Sequence, residues 1–198
     1  MSIVSNYIWE GAVDGGMNPV SLVLQQVKVR GREIGLFCIS SCSQEPAQSG
    51  ILTEWLVEWF HRSCLPACEG RRLPQPDALL ERELTGRQSY GGILLIGSRF
   101  YLFGQGEISI QLVNYRYNRP RLKPLTMPLS GRIQKGVGLL LHNGELTKNL
   151  LPEEINEILH GEGVWQEQRI GKRLRELYLE GRSRGNTGPV GGIYLQIL

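Results

Sequence analysis

The sequence predicts an α+β layered domain, with antiparallel sheets covered by helices on their outer faces. Three observations lead there. Residues 92–96 and 99–103 are apolar runs joined by Gly97-Ser98, the spacing of a tight hairpin. Ile51, Leu52, Trp55, Leu56, Trp59 and Phe60 recur at helical spacing and form one broad apolar stripe. Strand-like segments follow one another directly rather than alternating with helices, which argues against βαβ units.

The elements follow in order. Residues 3–9 form a short strand. Val20, Leu22 and Leu24 alternate, and Val27 and Val29 resume in the opposite phase, so the Gln25-Gln26 doublet is expected to hold a β-bulge. A turn at Arg30-Gly31-Arg32-Glu33 leads into residues 34–39, a continuous apolar run suited to mid-sheet. The helix carrying Trp55 and Trp59 is expected to bury both indoles against a sheet and to end at Pro66. Asp77 then caps a shorter helix with Leu79, Leu80 and Leu84.

After the hairpin, residues 107–117 supply another strand and residues 137–142 a buried one. Pro152, Glu153 and Glu154 suit the first turn of a helix with Ile155, Ile158 and Leu159 on its apolar face. A second closing helix spans about residues 164–180 with Ile170, Leu174, Leu177 and Tyr178 on one side, and Gly181 serves as its terminating residue. Ile193, Leu195 and Ile197 alternate in a last strand.

The 198 residues are expected to form a single domain, residues 1–198, since domains run roughly 100–200 residues. Apolar residues make up 41% and charged residues 21%, ordinary globular usage that excludes a disordered chain. The first residues carry neither a basic cluster nor a long apolar run, and no stretch approaches the ~18 apolar residues of a membrane span. A cytoplasmic address with reduced thiols and no membrane contact is the resulting expectation.

Several segments carry a resemblance. Ile96-Gly97-Ser98-Arg99-Phe100-Tyr101-Leu102, the Gly104-Gln105-Gly106-Glu107 that follows, the run from Gly138 to Leu146, the helix start Leu150-Leu151-Pro152-Glu153-Glu154-Ile155, and Arg182-Ser183-Arg184-Gly185-Asn186 resemble motifs of the PP2C-type metal-dependent serine/threonine phosphatases. The resemblance extends over nearly the whole chain. It implies a four-layer α-β-β-α sandwich, two antiparallel sheets flanked by helix pairs. It also implies a pair of Mg²⁺ or Mn²⁺ ions held by carboxylates, whose bound water attacks the phosphoryl group.

The carboxylates are what this sequence lacks. The family's early Asn-Glu-Asp resembles Asn18-Pro19-Val20, placing Val20 at a ligand position. Its Asp-Gly resembles Ser40-Ser41, and its late Asp-Asn resembles Gly185-Asn186. Its Ser-Asp-Gly resembles either Asn143-Gly144-Glu145 or, slipped by one, His142-Asn143-Gly144. No Asp stands at Val20, Ser40, Asn143 or Gly144, or Gly185. The phosphate-binding Arg has no clear counterpart, and the flap segment, residues 126–137, is short. Asp14, Glu45 and Glu145 lie near three of the motifs as possible displaced ligands.

The expectation is therefore a pseudophosphatase, a binding or regulatory module with no cofactor. The alternative is a divergent phosphatase using Mn²⁺ or Mg²⁺ through rearranged ligands.

Cys38, Cys42, Cys64 and Cys68 form two C-x₃-C pairs that suit tetrahedral Zn²⁺, with His61 able to substitute. Cys38 sits in an apolar strand, so ordinary thiols are the expectation. Redox use of Cys42 or Cys64 finds no local charge in the sequence to favour a thiolate. The net charge of +3 is mild, but no Asp or Glu occurs between Glu107 and Glu145, while Arg116, Arg119, Arg121, Lys123, Arg132 and Lys135 all do. Arg116, Arg119, Arg121 and Lys123, interleaved with Tyr115 and Tyr117, are expected to form a projecting hairpin that binds an acidic or phosphorylated protein segment. Binding of single-stranded nucleic acid is the second alternative. No H-E-x-x-H or Gly-x-Ser-x-Gly motif is present.

Overall fold

Ten strands pair into two five-stranded antiparallel sheets in the structure, a computed structural model that describes residues 2–11, 18–42, 44–69, 88–114, 121–160 and 167–198. One sheet runs β1 (Ile3–Glu10), β10 (Val190–Ile197), β9 (Val137–Asn143), β6 (Ile108–Asn114), β7 (Arg121–Leu125). The other runs β2 (Val20–Val29), β3 (Arg32–Ser41), β4 (Ser89–Ile96), β5 (Arg99–Gln105), β8 (Leu129–Arg132). Helix α1 (Pro46–Trp59) leads through a π-helical turn (Phe60–Cys64) into α2 (Leu65–Glu69). After β9 come α3 (Gly144–Thr147), α4 (Pro152–His160) and α5 (Glu167–Ser183).

Three apolar clusters separate these layers. Between the sheets lie Phe37, Ile39, Ile93, Leu95, Leu139, Leu141, Ile193 and Leu195. Leu52, Leu56, Trp59 and Phe60 pack on the outer face of the β3–β4 sheet, against Leu36, Leu94 and Phe103. Leu146, Ile155, Leu159, Leu174 and Leu177 pack on the outer face of the other sheet, against Leu140 and Tyr194. The result is the four-layer α-β-β-α sandwich that the resemblance implies. Burial of both sheet faces explains why β3, β9 and β10 are apolar almost throughout.

Several local expectations are corrected. No bulge interrupts β2: it pairs with β3 in unbroken register, Gln25 opposite Leu36 and Gln26 opposite Gly35. The change of phase arises because both faces are covered. Val20, Leu22 and Leu24 face the inter-sheet core, whereas Val23, Val27 and Val29 face α1. Pro66 does not end the helix. The turn before it widens instead, Leu65 N–H bonding to Phe60 O, so the proline stands in the first turn of α2. Ile51 is exposed and Trp55 only partly buried.

Gly181 lies inside α5, where a Cβ would come within 2.9 Å of Asn186 Nδ2; the helix ends instead at Gly185, in the left-handed region with φ +89°. Two edge strands escaped the sequence reading: β7 contains Pro124, tolerable only at an edge, and all of β8 is exposed. The segment assigned to a flap holds β8, which pairs with Arg99 to Leu102, the half of β5 distant from Ser89. The Asp77 helix, Asp14, and residues 115–120 with Arg116 and Arg119 lie outside the described residues.

Candidate functional site

Where the two sheets open at one end, a cleft of about 350 Å³ forms. Ser41 and Ser89 face each other across the last β3–β4 pair, and Ile108 and Asn143 across the matching end of β6 and β9. Gly144 and Glu145 from α3, Lys148 at its C-terminal cap, Glu107 and Pro189 complete the lining. The structure thus gathers Asn143, Gly144 and Glu145 from the sequence-predicted positions, with Ser41 in place of its neighbour Ser40, while Val20 and Gly185 do not line the cleft. It adds Ser89 and Lys148, which sequence reasoning missed. For Lys148 a signal existed, since an acid and a base three apart on a helix are neighbours.

Each position that the sequence resemblance equates with a ligand has a structural task. Val20 is buried between the sheets, and a Cβ at Gly191 would press on its Cγ1 at 2.5 Å. The buried Ser40 hydroxyl donates to Ser49 O at 2.9 Å, tying β3 to α1. Asn143 is 7% exposed and spends both ends of its amide: Nδ2 donates to Pro189 O at 2.8 Å, and Oδ1 accepts from Gly191 N–H at 3.1 Å. Gly185 supplies the left-handed residue that stops α5. The neighbouring Asn186 side chain then reaches back to Glu145 O and Lys148 O at 2.9 and 2.7 Å, locking α3 in place.

Of the displaced-ligand candidates, Glu45 is exposed, accepts from the Gln48 amide and does not line the cleft. Glu145 does line it. Its Oε1 pairs with Lys148 Nζ at 2.9 Å, while Oε2 is buried with no hydrogen-bond partner among the described residues. The carboxylate packs on Gly188, where a Cβ would approach to 2.7 Å. Glu107 is the other carboxylate of the cleft, exposed, with its N–H bonded to Ser89 Oγ.

This donor set does not fit a pair of hard divalent cations. Such ions want several carboxylate oxygens. Among the described residues the cleft holds two carboxylates, and an ammonium group already neutralises one of them. Among the described residues no three His, Cys, Asp or Glu side chains cluster as a metal site, so the two C-x₃-C pairs do not converge on one centre. His142, beside Asn143, is buried and donates from Nδ1 to Asn143 O at 2.8 Å; burial pushes its pKa down to about 4.

This sandwich is the fold of PP2C-type phosphatases. The chain resembles a bacterial serine phosphatase, solved as a point variant, with TM-score 0.71 at 14% identity over the whole of both chains. It resembles the serine/threonine phosphatase Stp1 from Staphylococcus aureus with TM-score 0.69 at 12% identity, over all of this chain and 96% of that one. It also matches a structure of the PP2C phosphatase domain of SpoIIE from Bacillus subtilis with TM-score 0.65 at 10% identity, over all of this chain and 64% of that one. No family model and no curated protein matches the chain. No helix among the described residues is long and apolar enough to cross a membrane.

Proposed function

We propose that this chain is a pseudophosphatase: a PP2C-fold protein that binds a partner and does not hydrolyse phosphoesters. The observation that carries the reading is Asn143. At the end of β9, where the resemblance calls for a carboxylate, an amide is committed to Pro189 and Gly191. A carboxylate could accept from Gly191 but could not donate to Pro189, so the amide is specific to this bonding pattern. Val20, Ser40 and Gly185 support the same reading, since none offers a free oxygen ligand. The unslipped register, Asn143-Gly144-Glu145, puts Gly144 at the ligand position and offers none either.

The binding surface in this reading is the end of the sandwich opposite the cleft. Arg121 and the exposed Lys123 lie on β7, antiparallel to β6, with Arg121 opposite Asn114 and Lys123 opposite Leu112. Both sheets run in the same sense, so β7 and β8 are edges on one side. Arg132 on β8 stands directly opposite Arg99 on β5, both exposed, and neither forms an ion pair among the described residues. Like charges placed directly opposite cost stability. A surface that tolerates them suits an acidic or phosphorylated protein segment.

The divergent-phosphatase reading is favoured by one observation, the unpartnered Glu145 Oε2 beside a second carboxylate, Glu107. One assay separates the two. Purified protein with added Mn²⁺ is expected to hydrolyse a phosphopeptide no faster than buffer. A Mn²⁺-stimulated rate lost in both Glu145→Ala and Glu107→Ala would establish the divergent enzyme.

A further inference from the structure

The chain also carries a pair of thiols unconnected with the cleft. Cys64 closes the π-helical turn and Cys68 lies one turn on in α2, with the two sulfurs 4.0 Å apart. We propose that Cys64 and Cys68 form a reversible redox switch, in which a hydroperoxide oxidises Cys68 and Cys64 resolves it to an intrahelical disulfide.

Geometry and environment divide the roles. Cys64 is fully buried under α1 in the cluster with Leu56 and Phe60, whereas Cys68 is partly exposed and open to a small oxidant. The hydrogen bond shared with Cys64, and then the positive charge of Arg32, hold the Cys68 thiol below its usual range against the opposing effect of burial. The same hydrogen bond, with burial, pushes Cys64 up. Cys68 is therefore the more accessible and the more readily ionised of the two, which makes it the nucleophile and Cys64 the resolving partner. The charge that favours the thiolate is supplied in space, by a residue at the start of β3 that the sequence does not place beside the cysteine.

In the first step the Cys68 thiolate attacks the peroxide, forming an S–O bond as the O–O bond breaks. The departing alkoxide, or hydroxide, takes a proton from water, leaving a sulfenic acid. In the second step the Cys64 sulfur attacks that sulfenic sulfur. The S–O bond breaks, and the leaving hydroxide departs as water with the Cys64 proton. Two thiols lose two electrons, and the peroxide gains them. Closing the sulfurs from 4.0 Å to a bond of about 2 Å needs a change of side-chain rotamer within one helical turn. A disulfide at the partly exposed Cys68 is open to reduction, which is the property a reversible switch needs.

The test uses the full chain exposed to hydrogen peroxide at neutral pH, followed by alkylation and peptide mapping without reductant. A Cys64–Cys68 linkage reversed by dithiothreitol, with free thiols falling from four to two, is the expected result. Cys64→Ala is expected to stop at a sulfenic acid trapped on Cys68 by dimedone, and Cys68→Ser to resist oxidation at the same dose. Because Cys64 is a core residue, the exposed Arg32→Gln provides a second test; it is expected to slow Cys68 oxidation roughly threefold through a smaller thiolate fraction. Preferential oxidation of Cys42 or Cys38, an unchanged rate in Arg32→Gln, or stoichiometric zinc on the untreated cysteines would overturn the proposal.

Discussion

Asn143 and Gly191 are bonded side chain to backbone, the amide oxygen accepting the glycine N–H at 3.1 Å, so that the end of β9 is fastened to the start of β10. The same amide donates to Pro189 two residues earlier. This pair of bonds fixes the rim of the cleft. It also engages both polar atoms of the side chain: Nδ2 has no lone pair to offer a metal, and one of the two acceptor sites of Oδ1 is taken.

Asn143→Asp tests that account. The carboxylate keeps the bond to Gly191 but faces Pro189 O without a proton to donate, in a buried position. A loss of about 1–3 kcal/mol in urea unfolding at neutral pH is expected, the usual cost of a buried unsatisfied group. A variant as stable as the parent, and activated by Mn²⁺, would show that the position remains a ligand site.

His142 sets a pH dependence. Burial lowers its folded pKa to about 4 from an unfolded value of 6.5. The unfolded chain therefore binds the proton first as pH falls. The favourable contribution of the neutral, buried ring is complete above pH ~6.5 and is lost progressively down to about pH 4. The total loss is on the order of 3 kcal/mol. Urea midpoints of the parent and His142→Gln, compared at pH 7.5 and pH 5, are expected to show a steeper decline for the parent. Parallel declines would place the titration elsewhere.

The layered architecture was legible because its strands are buried on both faces and its turns are marked. The β4–β5 hairpin turns at Gly97, with φ +59°, where the sequence predicts it. The misread parts share a cause, which is that tertiary context changed what a local pattern meant. A change of phase in β2 reflected two covered faces rather than a bulge. Pro66 was absorbed by a π-helical turn. β8, with four exposed residues, leaves no apolar signature. At the cleft, Asn143 and Glu145 were found through motif resemblance. Ser89 was not, because it enters only through its pairing with Ser41 at the sheet end.

The two indoles of α1 are expected to differ. Trp59 is 6% exposed and packs on the β3–β4 sheet, whereas Trp55 is partly buried at the margin of the same cluster. Trp59→Ala is expected to cost about 3–5 kcal/mol, and Trp55→Ala clearly less. Equal losses by denaturant unfolding would mean that Trp55 is as deeply engaged as Trp59.

Arg132 offers a test in which stability and binding move in opposite directions. It stands opposite Arg99 in the β5–β8 pair, so Arg132→Glu replaces a repulsion with an attraction. Thermal unfolding is expected to show a gain of roughly 0.2–1 kcal/mol, the range of a cross-strand charge pair. If this end of the sandwich receives an acidic or phosphorylated segment, the same change weakens that binding. The effect should be largest at low salt, where surface charges are least screened. Reversing Arg119 and Arg121 to Glu is expected to weaken it further without unfolding the chain. The measurement is the affinity of a partner recovered by pull-down, read at two salt concentrations. Greater stability of Arg132→Glu with unchanged affinity in both variants would leave the basic end a merely solvated surface. Comparable binding of random single-stranded DNA by the parent, lost on the same reversals, would instead assign that surface to nucleic acid.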